Sequence, residues 1–235
     1  MVFHAYVKQS DNGMGYWFVI TFASCAVADE WWRAVSTSTI VKFVNSIWHV
    51  NAQFYTYELG QVDPCSSLIM PGVATQFFDK VFFMTMSDLM GCRLNIIMPP
   101  DHFVDHISGN SFFIHSKVSP HEYWYYPKLS NVAHAVYVSH TKCTRFCVSL
   151  SNGGTAGTIM IGSDKIIIML TTINLSINVF TTSGQAIVSS APKLGLKFSD
   201  LLSKFSVGPT LCKDNQGLDM EELIYMDDGE EWELT

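Results

Sequence analysis

Apolar residues in the first hundred positions follow both the spacing of strands and the spacing of helices. Residues 16–22, "YWFVITF", are aromatic and β-branched, which is typical of a buried strand. Ser24 is a good N-cap for a helix over the following "CAVADEWWRAV", and that helix would carry Trp31 and Val35 inward. A second apolar face at helical spacing comes next, and then a strand-like "QFYTYEL". The pattern predicts an α+β region over residues 1–107.

The pattern changes after this region. The runs "DKVFFMTMSD" and "CRLNIIM" predict a hairpin around "SDLMG", and Pro99 and Pro100 end its second strand because proline supplies no N–H for a sheet. From residue 108 onward, short apolar runs are separated by turn residues at intervals of roughly ten, and only "FSDLLSKF" has helical spacing. Such spacing indicates a sandwich or a barrel. We therefore expect an all-β domain over residues 108–235.

A short apolar pattern recurs three times in this second region. In each copy an apolar residue is followed, at identical spacing, by two large apolar residues with one residue between them. These pairs are Phe146 and Val148, Leu196 and Phe198, and Trp232 and Leu234. We interpret each copy as a strand, a bend and a second strand whose alternate residues share one buried face. Three such copies predict a threefold barrel.

Two cysteines lie within the first copy, in the stretch "VYVSHTKCTRFCVS". The repeat aligns Cys143 and Cys147 with Lys193 and Lys197 of the second copy. This alignment places Cys143 in the bend and Cys147 on the outward face of a strand. We therefore interpret the two cysteines as turn and surface residues, and we assign no metal site to them.

The three strand pairs resemble a β-trefoil. The chain is similar in outline to trefoil lectins and trefoil protease inhibitors, especially the leaderless fungal kinds, whose last strand can also hold a Trp-x-aliphatic stretch like residues 232–234. Ricin-type trefoil lectins carry Gln-x-Trp in that strand, whereas the corresponding triplets here begin with Thr144, Leu194 and Glu230. The resemblance implies a β-trefoil-like fold over residues 108–235, but it transfers no sugar-binding residue.

Composition and charge narrow the classes of partner. Charged residues make up only 15% of the chain, so much of the polar surface must come from Ser, Thr, Asn and His. The net charge of -7 and the lack of any Lys and Arg cluster argue against nucleic-acid binding. The sequence shows neither a secretory signal nor an apolar run of membrane-spanning length. We expect a cytoplasmic protein with reduced thiols and no membrane partner, and the oligomeric state stays open.

The densest aromatic stretch is "SPHEYWYYP", residues 119–127. Strand alternation places the tyrosines at 123 and 125 on one face and the residues next to them on the other. An exposed Trp or Tyr beside polar groups can stack on a sugar ring or anchor a protein partner. The predicted binding residues are Glu122, Trp124, Tyr126, Asn131 and His134. The alternative is that most of these rings fill the barrel.

The other candidate motifs for metal binding, phosphate binding and catalysis are incomplete. "PPDHFVDH" puts His102 and His106 four residues apart but lacks the Glu of a zinc-protease motif, so it is interpreted as a linker. The glycine-rich residues 151–158 lack the Lys and the helix of a phosphate loop. No signature such as Gly-x-Ser-x-Gly occurs, and carboxylates outside the acidic tail are sparse. We therefore assign no catalytic residue, no metal and no cofactor.

Three functional hypotheses follow from these features. The leading one is a non-enzymatic, lectin-like carbohydrate-binding protein that uses exposed aromatic residues, and it rests mainly on analogy of fold. The second is a protease inhibitor or other protein-binding module whose loop 151–157 enters a partner's cleft. The third is an enzyme with an active site between the two regions. The expected partner is accordingly a glycan or a protein.

Overall fold

The structure is a computed structural model that describes residues 2–11, 17–86, 104–127, 134–153 and 157–235. The chain divides into two compact units, Met1–Asp105 and His106–Thr235. This division lies two residues before the predicted boundary between residues 107 and 108.

The described part of the first unit contains one five-stranded sheet with helices between its strands. Its elements are β1 (Phe3–Gln9), β2 (Trp17–Phe22), α1 (Cys25–Ser36), α2 (Val41–Ser46), β3 (Ile47–Asn51), β4 (Phe54–Tyr57), two 3-10 helices (Pro64–Leu68 and Thr75–Phe77) and β5 (Val81–Met86). The strand order is β3, β4, β1, β2, β5, and only β1 and β4 are parallel neighbours. The hairpin predicted around "SDLMG" has its first arm in β5, while its turn and second arm lie outside the described residues.

Helix α1 begins where the sequence predicts. The Val27 N–H donates to Ser24 Oγ at 3.3 Å, which satisfies one of the free N–H groups of the first turn. Trp31 and Val35 are fully buried, as predicted from their spacing. The Trp31 indole N–H also donates to Ser67 Oγ at 3.2 Å, so this ring is both packed and hydrogen-bonded.

The second helical pattern is only partly realised. Helix α2 ends at Ser46 and β3 begins at Ile47, which pairs with Tyr57 of β4. Ile47 is buried and Trp48 is exposed, so the alternation of a strand replaces the spacing of a helix at this point. Sheet pairing therefore overrides the local helical spacing.

The second unit is built mostly from strands. Its elements are β6 (Ser111–Phe112), β7 (Ile114–Ser116), β8 (Tyr123–Tyr125), β9 (Tyr137–Ser139), β10 (Phe146–Leu150), β11 (Ile166–Leu170), β12 (Leu175–Val179), β13 (Ala186–Ser189), α3 (Phe198–Ser203), β14 (Phe205–Lys213), β15 (Asp219–Tyr225) and β16 (Trp232–Leu234). One sheet has the order β13, β12, β11, β10, β6, and the other has the order β14, β15, β9, β8, β7, β16. Across the described ranges of both units, no helix has the length and apolarity needed to cross a membrane.

All three sequence copies contribute to the main hydrophobic core of the second unit. The six alternating residues of the copies are buried in a single cluster, which confirms that they share one core; they are Phe146, Val148, Leu196, Phe198, Trp232 and Leu234. Trp124 lies among the aromatic rings of this core. Its ring centroid is 4.7 Å from that of Phe205, and 5.8 Å from those of Phe146 and Trp232.

Three hairpins of the second unit contact one another in a closed ring. The hairpins are β8–β9, β12–β13 and β14–β15. The bridging pairs are Ala135 with Ile187, Gln185 with Ile224, and Tyr137 with Glu222. Each hairpin therefore pairs with the other two.

Gly184 allows one of these hairpin contacts. The Tyr225 N–H donates to Gly184 O at 2.7 Å. Gly184 has a φ of +74°, and a Cβ at this position would lie 2.7 Å from Tyr225 O. Both the backbone angle and the close approach therefore require glycine here.

The second copy departs from the predicted strand, bend and strand. A single bridge joins Lys165 to Lys197, and α3 begins immediately afterwards. Asp200 Oδ2 accepts a hydrogen bond from the Lys197 N–H at 2.8 Å, which caps the helix. The prediction of a strand is wrong here because the helical spacing of "FSDLLSKF" decides the local structure, yet Phe198 still reaches the core.

The two buried tryptophans of this core provide a matched test of hydrogen bonding. Trp232 Nε1 donates to Phe205 O at 2.7 Å, whereas Trp124 Nε1 has no partner among the described residues. We expect Trp232→Phe to lower the free energy of unfolding by about 1 kcal/mol more than Trp124→Phe, because only the former removes a buried hydrogen bond; Phe205 O still accepts from the Glu230 N–H at 2.8 Å. Chemical denaturation followed by circular dichroism measures both variants. Equal losses, or a larger loss for Trp124→Phe, would contradict the assignment.

Truncation tests the role of β16. Trp232 pairs with Ser116 and Leu234 with Ile114 of β7, and both apolar side chains are buried. Deleting residues 230–235, "EEWELT", removes this strand and leaves a gap in the core. We expect the cooperative melting transition of the second unit to be lost, as measured by calorimetry. A full transition in the truncated chain would show that the core does not depend on β16.

Candidate functional site

The predicted binding residue Trp124 lies in the core. Its side chain is 0% exposed, so its ring cannot stack on a ligand at the surface. The alternation predicted for residues 119–127 is present, but the face that carries Trp124 points inward. The reason is that Trp124 pairs with Val138, which belongs to the same buried cluster. The prediction that Trp124 binds a ligand is therefore wrong.

Tyr126 and His134 contact different parts of the second unit. Tyr126 is half-buried against the core, and its N–H donates to Thr144 Oγ1 at 2.9 Å. His134 is exposed with a φ of +33°, and its carbonyl accepts from the Val188 N–H at 2.6 Å. Asn131 lies outside the described residues.

Glu122 is the predicted residue with the most unusual electrostatic surroundings. Its Oε1 lies 3.9 Å from His140 Nε2. Burial raises the pKa of the Glu122 carboxyl, the His140 charge lowers it, and the carboxylates of Glu230 and Glu221 raise it. Burial and the two like charges therefore outweigh the histidine, and Glu122 holds its proton more tightly than an ordinary glutamate.

The tyrosines that alternate with Trp124 form a different surface, on the outer side of the six-stranded sheet. Tyr123 and Tyr125 are half-buried, and Tyr125 pairs directly with Tyr137 of β9. Residues that pair directly across antiparallel strands share one face of the sheet. We call Tyr123, Tyr125 and Tyr137 the tyrosine face.

A lysine and a carboxylate border the tyrosine face at Tyr125. Lys142 Nζ lies 5.5 Å from the Tyr125 ring centroid and donates to Asp214 Oδ2 at 2.5 Å and to Gln216 Oε1 at 2.7 Å. Asp214 Oδ1 also accepts from the N–H groups of Gln216 and Leu218 at 2.8 and 2.9 Å. The Lys142 hydrogen bond is the main cause that lowers the pKa of Asp214 to about 2. This arrangement keeps Lys142 in place above the Tyr125 ring.

A histidine and a glutamate border the face at Tyr123. The His115 and Tyr123 rings are 5.3 Å apart, and His115 Nε2 lies 3.2 Å from Glu233 Oε1. Glu233 pairs with His115 and His115 pairs with Tyr123, so the three side chains form a row across neighbouring strands. Polar groups therefore lie at both ends of the two half-exposed tyrosines.

Tyr137 forms the buried part of the face. Its hydroxyl has no hydrogen-bond partner among the described residues. Burial, followed by the charges of Cys212 and Glu222, raises the pKa of Tyr137 to about 12. The Glu222 carboxylate is held by the Gln185 amide, which donates to its Oε1 at 2.9 Å. At neutral pH Tyr137 is therefore protonated and able to donate a hydrogen bond.

The cysteine pair lies elsewhere on this unit. Cys143 is exposed, and the half-buried Cys147 donates from its thiol to Gly109 O at 3.3 Å. Within the described residues, no group of three His, Cys, Asp or Glu side chains is placed to hold a metal ion.

Part of the tyrosine face could be predicted from the sequence. A period of two shows that Tyr123 and Tyr125 share a side, but it does not show which side faces the core when both sides are aromatic. Lys142 and Asp214 are far apart in sequence, and no local motif connects them. Their contact with Tyr125 arises only from the order of strands in the sheet.

The pH dependence of stability tests the Asp214 contact. In the unfolded chain this carboxyl protonates near its ordinary pKa of 3.8, whereas in the folded chain it protonates near about 2, so its charge stabilises the fold only above these values. We expect Asp214→Asn to be less stable than the wild type at pH 6, with the difference shrinking between about pH 4 and pH 2. Chemical denaturation across this pH range measures it.

A control for this experiment lies on the same hairpin. Asp219 pairs with Lys213 at 3.0 Å, and both side chains are exposed. Asp219→Asn should change stability little at any pH, because water screens exposed ion pairs. A deficit in Asp214→Asn that does not vary with pH would contradict the assigned contact.

No protein-family model, no curated protein and no solved structure matches this chain.

Proposed function

We propose that the second unit is a β-trefoil-like domain that acts as a lectin-like carbohydrate-binding module without catalytic chemistry of its own. The fold part of the proposal is supported by the three hairpins that contact one another in a ring. It is also supported by strand contacts that occur once within each copy: Phe112 with Phe146, Lys165 with Lys197, and Phe205 with Glu230. Helix α3 in the second copy is a departure from strict threefold repetition.

The observation that carries the functional proposal is the tyrosine face. A pyranose ring has a flat apolar side that packs on an aromatic ring, and its hydroxyl groups need donors and acceptors around that ring. Tyr123 and Tyr125 supply two half-exposed rings on neighbouring positions of one side of β8. Lys142 and Gln216 at one end, and Glu233 at the other, supply polar groups.

The charges around the tyrosine face favour a neutral glycan. The carboxylates of Asp214, Glu222 and Glu233 lie around the three tyrosines, and Lys142 is already paired with Asp214. A sulfated or sialylated sugar would meet these carboxylates, and the net charge of -7 adds a general repulsion of anions. The proposed ligand class is therefore an uncharged sugar.

A protein partner is the alternative, as in a protease inhibitor. Its binding segment would be loop 151–157, of which residues 154–156 lie outside the described part of the chain. Residues 151–153 are exposed, and Gly153 has a φ of +66°. An exposed turn of this kind can enter a cleft, but these residues carry no aromatic anchor of the type that dominates protein interfaces.

Substitution of the tyrosines tests the carbohydrate proposal. We expect the wild-type protein to bind one or more neutral glycans on an array, and Tyr125→Ala to weaken that binding about tenfold, because a stacked ring contributes roughly 1.5 kcal/mol. Titration calorimetry with the best glycan measures the change. The control is Phe180→Ala, an equally simple loss of a ring that is 53% exposed elsewhere on the unit.

Each outcome has a defined meaning. Failure of the wild type to bind any glycan would overturn the proposal, and equal losses for Phe180→Ala and Tyr125→Ala would overturn the assignment to the tyrosine face. Inhibition of a protease by a chain that binds no glycan would support the alternative.

A further inference from the structure

The five-stranded sheet of the first unit carries large apolar residues on both of its sides. Its inner side packs against α1, whose Trp31 ring lies 5.6 Å from the ring of Phe22 and 5.5 Å from that of Tyr55. Side chains alternate along each strand, so the residues between these inward ones point to the opposite side. We call this opposite side the outer face. A mostly antiparallel sheet commonly has one polar side in water, and an apolar outer face therefore indicates a contact surface.

One apolar row crosses four strands of the outer face. Met84 of β5 pairs with Val19 of β2, and Val19 pairs with Tyr6 of β1. Tyr6 in turn pairs with Phe54 of β4. Directly paired residues lie on the same side of a sheet, so these side chains form a continuous band. Met84 is 67% exposed, and the other three are half-buried.

A second row lies beside the first and contains the lysine of the outer face. Met86 of β5 pairs with Trp17 of β2, and Trp48 of β3 pairs with Thr56 of β4. Lys8 of β1 pairs with Thr56, and its Nζ lies 5.3 Å from the centroid of the Trp17 ring. Both tryptophans are exposed. The lysine is therefore held over an aromatic ring, with apolar side chains at both ends of its row.

The third row is shorter and more polar. The exposed Phe82 of β5 pairs with Thr21 of β2, and Thr21 pairs with His4 of β1. His4 Nδ1 lies 3.2 Å from Thr21 Oγ1, so these two polar groups form a hydrogen bond with each other. Across the three rows, all of which lie in described strands, there is no Asp or Glu, and the only Lys or Arg is Lys8.

The composition of the outer face is that of the core of a protein interface. Such cores are enriched in Trp, Tyr, Phe and Met, and they are depleted in Asp, Glu, Ser and Ala. The three rows contain every residue type of the first group and none of the second. The outer face is therefore suited to contact with another protein surface of apolar character.

The charges of the chain indicate that this surface belongs to a second copy. An acidic protein or an anionic membrane requires several cations, whereas the outer face offers only Lys8, near the end of β1. The net charge of -7 makes two copies repel each other in general. Two outer faces can nevertheless meet without bringing any carboxylates of their three rows together. Self-association is therefore opposed least by charge at this surface.

The size of the outer face agrees with a reversible dimer. Five strands about 4.8 Å apart span about 24 Å, and six residues at about 3.3 Å each span about 20 Å. One outer face therefore covers about 500 Å², and two faces in contact bury about 1,000 Å². This area is the lower limit for a specific protein interface, so the dissociation constant should be micromolar.

We propose that two copies of the chain associate through the outer faces of their first units around a two-fold axis. The two sheets stack about 10 Å apart, with their strands about 30° from parallel because both sheets have the same twist. The apolar rows of the two copies then cover each other. A two-fold contact uses the same residues on both copies, so assembly stops at the dimer. This inference is independent of carbohydrate binding by the second unit.

Sedimentation velocity of the full chain tests the dimer. Between about 1 µM and about 200 µM we expect the mass to rise from 26.3 kDa towards twice that value. A chain that keeps the monomer mass at about 200 µM would overturn the proposal, and so would a monomer that sediments with phosphatidylcholine vesicles. Masses beyond the dimer would contradict a closed two-fold contact.

A charged substitution with a matched control identifies the surface. Met84→Glu places a carboxylate in the apolar row, and the two-fold axis brings a second one onto the same interface, so the dissociation constant should rise about tenfold or more. Ile69→Glu is the control, because Ile69 is also 67% exposed in the first unit but lies outside the five strands. It should leave the dissociation constant unchanged. Equal weakening by both variants would overturn the assignment to the outer face.

Oxidative footprinting of the wild type locates the contact without any substitution, and it decides the question if Met84→Glu fails to fold. Hydroxyl radicals oxidise exposed methionines, and Met226 is an exposed reference in the second unit. Between about 1 µM and about 200 µM, oxidation of Met84 should fall about threefold relative to that of Met226, as measured by mass spectrometry. A dimer that leaves this ratio unchanged would overturn the proposal.

Discussion

The second unit depends on the packing of Trp124 against three other aromatic rings. Phe146, Phe205 and Trp232 come from separate strands, and each ring lies within 6 Å of Trp124. Because strand side chains alternate, a shift of one residue in any of these strands would remove its ring from the centre. One cluster of rings therefore fixes the register of several strands, and Trp232 is fixed further by its hydrogen bond to Phe205 O.

The same constraint positions the proposed binding surface. With Trp124 held in the core, Tyr123 and Tyr125 must face outward on β8, between β7, which carries His115, and β9, which carries Tyr137. The packing of Trp124 in the core and the outward direction of Tyr123 and Tyr125 therefore both follow from the alternation of side chains along β8. In the first unit, α1 likewise packs through Trp31 and Val35 and places Trp32 against His49 of β3 and Tyr55 of β4.

Features encoded locally could be predicted from the sequence. The start of α1 follows from Ser24 and helical spacing, and the shared core of the three copies follows from alternating apolar pairs. The inward direction of Trp124 could not be predicted, because both faces of "EYWYY" are aromatic and a period of two assigns no direction.

Contacts between segments that are distant in the chain could not be predicted from the sequence either. His49 meets Trp32 and Asp105 only after β3 has paired with β4, and no motif joins these positions. In the second copy, by contrast, the sequence predicts two different local structures for the same residues. The repeat favoured a strand at Phe198 and the local spacing favoured a helix, and the local signal prevailed where a cap from Asp200 was present.

The pairing of β7 with β16 has a consequence for how the second unit folds. These strands are among the first and the last of the unit, and they join Ile114 to Leu234. Contacts over such long stretches of chain require a large loss of loop entropy before any packing energy is gained, so they slow folding. Until residues 232–234 are available, the edge of β7 that pairs with β16 has no partner strand on that side.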